Sequence, residues 1–196
     1  MKEKIGPYPY LYPVPIVLVG TAHDTIPNYT TVGDVAIMGI GTPLMCISIS
    51  ETALARQNIV ETGVFSINVP TVQMLAAVDF CGAHSGKTYH KEHLFTTLFG
   101  DNPMIPLIAE CPVNMECDVI HDFQEANRHI FIARISQTHI DHQYVTYEDG
   151  KRHIANLNAL QPIAYALDNH YYSIGEIIGT GYREGKSIES MILKRK

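Results

Sequence analysis

Apolar and polar residues alternate with a period of two over several stretches of this chain, and that pattern predicts strands. Phe65, Ile67 and Val69 alternate with Ser66 and Asn68, which predicts a strand with one polar face. Residues 35–40 and 44–50 read as two strands joined by a turn at Gly41, Thr42 and Pro43. Residues 16–20 form a short apolar run ending in glycine and read as another strand. Residues 113–120 and 130–140 alternate in the same way. Residues 143–147 and 152–157 flank Glu148, Asp149, Gly150 and Lys151, where Asp-Gly signals a hairpin. Residues 170–174 make a last short strand. Three segments carry helical spacing instead: 51–62, 72–80 and 91–99. In the first, Leu54, Ala55 and Ile59 share a face and Gly63 is a natural stop.

Many strands with a few interposed helices predict a mainly β protein with attached helices, an antiparallel barrel. Helices do not alternate regularly with strands, so a βαβ layout is not expected. With 196 residues and no linker or repeat, a single domain over residues 1–196 is expected, with residues 1–15 as an extended N-terminal arm. Hydrophobic residues make up 46% and charged residues 17%, enough to bury a sizeable core.

Net charge is −6, which argues against nucleic acid as a main partner, since phosphate backbones need a basic surface. The basic tail Lys194, Arg195 and Lys196 reads as a solvated end. Lys2 and Lys4 precede an apolar stretch, but Pro7, Pro9, Pro13 and Pro15 break the helix that a secretory signal needs. No run approaches the roughly 18 apolar residues of a membrane span. Cys46, Cys81, Cys111 and Cys117 form no close pair and fit buried thiols in a reducing cytoplasm.

Pro27, Asn28, Tyr29, Thr30 and Thr31 read as a hydroxyl-rich turn. Thr30, Thr31, Ser48 and Ser50 then cluster at strand ends, where they suit an anionic, hydrogen-bonding cofactor. A loop with ordinary helix caps is the plainer alternative. Gly82 to Thr88 ends in Gly-Lys-Thr, but has three residues between its glycines where a nucleotide triphosphate loop needs four. The segment from Gly181 to Ser187 fails the same way. The first of these still offers Ser85, Gly86, Lys87 and, a turn later, Lys91 to a single phosphate. Ten histidines invite a metal reading, but none falls in a zinc-type spacing.

The series Pro13 to Thr21, Pro27 to Thr31, Pro43 with Ile47-Ser48-Ile49, and Glu61 to Asn68 resembles the flavin reductase-like family. The FMN-binding split barrel, and its flavoredoxin branch, is the nearest likeness. Asp79 to Lys87 with Lys91, Pro106 to Cys117, His129 to Ile135 and Tyr171 to Gly175 continue the match in the same order. The resemblance implies a split β-barrel, non-covalent FMN and a homodimer; the cytoplasm is expected from the unpaired cysteines. It implies an oxidoreductase that passes electrons from NADH or NADPH through bound FMN to a small-molecule or protein acceptor.

The same resemblance implies the cofactor-binding residues. Asn28, Tyr29, Thr30 and Thr31 correspond to the turn lining the flavin. Met45, Cys46, Ile47, Ser48, Ile49 and Ser50 run beside it. Ser85, Gly86, Lys87 and Lys91 support the phosphate end, and His129 lies near the ring. Two positions depart from the family pattern. Asp34 stands where an aromatic residue is frequent, and Ser50 where a basic one is, with Arg56 as a compensating cation six residues on. No catalytic side chain is implied, because the flavin carries the chemistry. The rival readings are a non-enzymatic flavin-binding electron-transfer protein and a histidine-metal enzyme on a β-rich scaffold.

Overall fold

The apolar run that turns to alternation over residues 44–50, and the alternation at 65–69, build two strands of a seven-stranded antiparallel sheet. A computed structural model describes residues 1–185 and 188. Lys186, Ser187 and the basic tail at 194–196 lie outside the described residues. The chain begins with an exposed arm, and β1 is only Val14–Pro15. Next come β2 (Val17–His23), β3 (Ile26–Val32), β4 (Val35–Gly39) and β5 (Leu44–Ser50). Helix α1 (Leu54–Thr62) leads into β6 (Val64–Val69), and α2 is Leu75–Ala83. Short strands β7 (Thr97–Phe99) and β8 (Pro106–Ile108) precede the long pair β9 (Val113–Glu125) and β10 (Arg128–Ile140). The hairpin β11 (Val145–Glu148) and β12 (Lys151–Ile154), helix α3 (Leu157–Leu160), and strands β13 (Ile163–Ala166) and β14 (His170–Ser173) follow.

The large sheet runs β3-β2-β6-β9-β10-β5-β4. Its two edge strands, β3 and β4, are consecutive in the chain and joined only by Gly33 and Asp34. Two residues span at most about 7 Å, so the sheet has to curl until its edges approach. The edges do not pair with each other, and the result is an open, split barrel. Its interior is filled by Val17, Val19, Met45, Ile47, Ile49, Phe65, Ile67 and Phe131, and α1 closes it with Ala55 and Ile59. A second core lies under α2, where Leu18, Tyr29 and Ile108 meet Val78 and Cys81.

The polar face of β6 is not at the surface. Ser66 and Asn68 are fully buried. The Asn68 amide donates to Leu18 O (2.9 Å) and to Ser66 Oγ (2.8 Å). Its oxygen accepts from Ile108 N (3.0 Å) and from the Asn114 amide (2.8 Å). The polar positions therefore fasten β8 across the sheet, and burial is tolerated because every group is paired. Gly20 makes room for this, since a Cβ there would collide with Ser66 Oγ and Pro106 O.

Four expectations need correction. Residues 27–31 are not a turn but most of β3, and the turn lies earlier, at Asp24 and Thr25, both with positive φ. Pro27 has no N–H to give, and an edge strand accepts that. Residues 91–99 are not a helix: a single 3-10 turn at Lys91–His93 gives way to β7, whose Thr97 pairs with Ile108. The first helix begins at Leu54, because Ser50 to Ala53 turn first. Strand β13 and helix α3 had no sequence signal, and the expected strand at 152–157 stops at Ile154. All four cysteines are free thiols; Cys81, Cys111 and Cys117 are buried and Cys46 is half-buried. Among the described residues no helix is long and apolar enough to cross a membrane.

Candidate functional site

One cavity of about 400 Å³ opens where the split edges of the barrel face each other. That volume is in the range of small-molecule and cofactor sites. Asn28, Thr30 and Thr31 of β3 form one wall. Ser48, Ile49 and Ser50 form another, because β5 turns Met45, Ile47 and Ile49 toward the core and leaves Ser48 and Ser50 on its half-buried face. Gly82 to Gly86, the end of α2 and the loop that follows it, close a third side. Gly86 lies so close to the Asn28 side chain and Leu54 that a Cβ would not fit. Thr31 Oγ1 ties β3 to α2 by donating to Val78 O (2.5 Å).

The cavity's floor includes the start of α1, Thr52 to Ala55. Ala53 occupies the N-cap position and supplies no side-chain cap. Free first-turn N–H groups and the positive end of the helix dipole favour an anion at such a place.

Two cations line the same cavity. Arg128 enters β10 directly opposite Ser50. Its Nε donates to Ser48 Oγ (3.0 Å) and its Nη2 to Ser48 O and to the Asp34 carboxylate. Lys91 is buried, and its ammonium donates to Tyr29 O (3.1 Å) and Cys81 O (2.9 Å). Burial lowers its pKa from the ordinary lysine value, with the nearby Cys81 thiol acting the other way. Burial also pushes the Cys81 thiol up to about 11, partly offset by Lys91.

Of the residues predicted from sequence, the cavity brings together Asn28, Thr30, Thr31, Ser48, Ile49, Ser50, Ser85, Gly86 and Lys91. The others lie elsewhere. The Tyr29 ring points into the second core, where its hydroxyl meets Thr97 Oγ1 at 2.8 Å; burial raises its pKa to about 12. Met45 and Ile47 belong to the barrel core, and Cys46 lies on the half-buried face of β5 outside the cavity lining. Lys87 is exposed and does not line the cavity.

Arg56 and His129 are committed to each other. Arg56 Nε donates to His129 Nδ1 (3.2 Å), so the ring's proton sits on Nε2, 2.6 Å from Asp122 Oδ2. The His129 ring is also stacked on Phe131. The arginine facing the cavity is thus Arg128, one residue before the histidine that sequence singled out. Only the pairing of β10 with β5 reveals it.

Residues 10–156 match the model of the flavin reductase like domain family. An uncharacterized protein of Archaeoglobus fulgidus is 29% identical over 151 residues, covering 76% of this chain and 83% of that protein. The solved structure of flavoredoxin from Methanosarcina acetivorans superposes with a TM-score of 0.86 at 27% identity, covering 95% of this chain and all (100%) of that one. Flavoredoxin of Desulfovibrio vulgaris (Miyazaki F) superposes with a TM-score of 0.84 at 26% identity, over 94% of this chain and 100% of that one. An open split barrel, a polar cavity at its seam and a family match over most of the sequence lead to one conclusion: the chain belongs to the flavin reductase-like family, with a split barrel of the flavoredoxin type.

Proposed function

We propose that the cavity at the barrel seam binds FMN and that the protein is a flavin-dependent oxidoreductase. The observation that carries this reading is the cavity's donor set. Hydroxyls from β3 and β5, the uncapped start of α1 and two cations converge on one space of about 400 Å³. That set fits a polar, anionic ligand. Arg128, the first turn of α1, Ser85 and Lys91 are the groups that would meet the phosphate. Thr30, Thr31, Ser48 and Asn28 would hydrogen-bond the rest and orient it. When bound, the flavin supplies the hydride and electron transfer. The protein's share is to hold it and to shield one side of it with the walls of β3, β5 and the loop after α2.

The electron donor we propose is NADH or NADPH, and the acceptor a small molecule or a second protein. The working unit is a homodimer in the cytoplasm. The family match and the two flavoredoxin structures support the flavin-dependent part of this reading.

Two measurements on the purified protein test it. Titrating the protein into FMN should quench flavin fluorescence with a stoichiometry of one per chain, and adding NADH or NADPH should bleach the bound flavin. No quenching at saturating protein overturns the flavin assignment. Quenching without bleaching by either nicotinamide leaves a flavin-binding electron carrier that takes its electrons from another donor.

A further inference from the structure

Asp34 closes a short circuit across the cavity. Its carboxylate is the anion that holds Arg128, and both residues line the space proposed for FMN. The carboxylate is not needed for the turn it sits in. That turn is pinned by backbone, with Ser48 N donating to Asp34 O (2.9 Å) and Val35 N to Gly33 O (2.9 Å). The Asp34 side chain is 67% exposed, so the pair is reached from solvent. Arg128 also donates Nε and Nη2 to Ser48, which keeps the guanidinium in place whether or not Asp34 is paired.

We infer that Asp34 is a built-in competitor for the cavity's arginine and sets how strongly the site prefers a phosphorylated ligand. This rests on the FMN reading above. A phosphate monoester carries roughly −1.5 to −2 charges and three acceptor oxygens, against one charge on the carboxylate. It therefore displaces Asp34 from Arg128, but binding loses what the Asp34 pair contributed and gains a carboxylate–phosphate repulsion. Riboflavin, with no phosphate, leaves the Asp34–Arg128 pair intact and feels neither effect. Asp34 thus weakens FMN binding selectively and narrows the gap between the two flavins.

The test is a double-mutant cycle read by flavin fluorescence quenching, with FMN and riboflavin as the two probes. Asp34→Asn keeps the side chain's size and removes its charge. It should tighten FMN by roughly two- to fivefold, the range for a partly exposed ion pair, and leave riboflavin unchanged. Arg128→Gln should weaken FMN. Adding Asp34→Asn to Arg128→Gln should then bring a smaller gain, because there is no guanidinium left to compete for and only the carboxylate–phosphate repulsion is relieved. The proposal is overturned if Asp34→Asn leaves FMN affinity unchanged or weakens it, if it tightens both flavins equally, or if its gain is undiminished without Arg128. If the parent and all three variants quench neither flavin, the FMN reading itself falls, and this proposal with it.

Discussion

At the scale of single residues, the two cavity cations do different work. Lys91 uses two of its three N–H groups on buried carbonyls, one on β3 and one at the end of α2. It is a strut first, whatever charge it lends to the cavity. Lys91→Met keeps the apolar stem and abandons both carbonyls. Each orphaned buried group costs about 1–3 kcal/mol, and about 1 kcal/mol shifts the melting midpoint of a chain this size by roughly 2–4 °C. The midpoint should fall by roughly 5–15 °C; both flavins should weaken as the β3 and α2 walls loosen, FMN by more because it also loses the ammonium. Arg128 sits at a strand end, partly exposed, with its carbonyl partner Ser48 already in the ladder. Arg128→Gln should leave the midpoint within about 2 °C, since surface changes of this kind are small. It should weaken FMN by roughly tenfold, the loss of one charge-assisted contact, and leave riboflavin alone. Calorimetry beside fluorescence titration separates the two variants. A riboflavin loss in Arg128→Gln as large as the FMN loss would contradict a phosphate contact.

At the scale of elements, the long hairpin β9–β10 carries a second polar clamp. Glu116 on β9 is 1% exposed, and its carboxylate accepts from Asp101 N (3.0 Å) and Asn102 N (3.2 Å) and lies 2.7 Å from His139 Nε2 on β10. Burial alone would raise its pKa, but the His139 contact and the two backbone donors outweigh it and hold the carboxyl below the ordinary value. A depressed carboxylate pKa means that the unfolded chain binds the proton more readily than the folded one. The stabilisation is therefore full above the unfolded value of 4.5 and is lost as pH falls through the lower folded value. Thermal midpoints recorded between about pH 3 and 6 should fall more steeply for the parent than for Glu116→Gln. Parallel curves would remove Glu116 from the acid limb. What was legible in sequence follows the same division. Strands β5 and β6 announced themselves because apolar residues alternate with Ser48 and Ser50 in one and with Ser66 and Asn68 in the other. Strand β3 did not, because Pro27, Asn28 and two threonines carry turn chemistry that an edge strand tolerates. The hydroxyls of the site were visible as residue types at strand ends. Arg128 was not, because a ladder register of Arg128 with Ser50 joins positions far apart in the chain. Asp34 stood out only as a departure from a family pattern, and its partner emerges only when the barrel closes.

At the scale of the whole molecule, the surface has unfinished business at its N-terminal arm. Tyr8, Tyr10, Leu11 and Tyr12 are exposed, Leu11 by 84%, and the three tyrosine rings pack on one another at 5.5 and 5.0 Å between centroids. The edge strand β4 adds Ile37 at 68% and Met38 at 54% exposure, followed by Ile40 in the turn. Clusters of exposed apolar side chains on a folded chain mark contacts with another surface. The family resemblance makes a second copy the expected one, with the same patches meeting twice across a two-fold axis. Strand pairing of the arm with the rest of the fold begins at β1, where Val14 and Pro15 pair with Tyr165 and Ala164 of β13. Deleting residues 1–11 therefore removes exposed apolar side chains without touching a strand. We predict that light scattering gives the full chain a mass of twice 21.8 kDa at micromolar concentration. The truncated chain should shift toward monomer with its circular dichroism spectrum unchanged. A full-length mass near 21.8 kDa would sink the dimer. A truncated chain that stays fully dimeric would instead assign the interface to β4 and the barrel rather than to the arm.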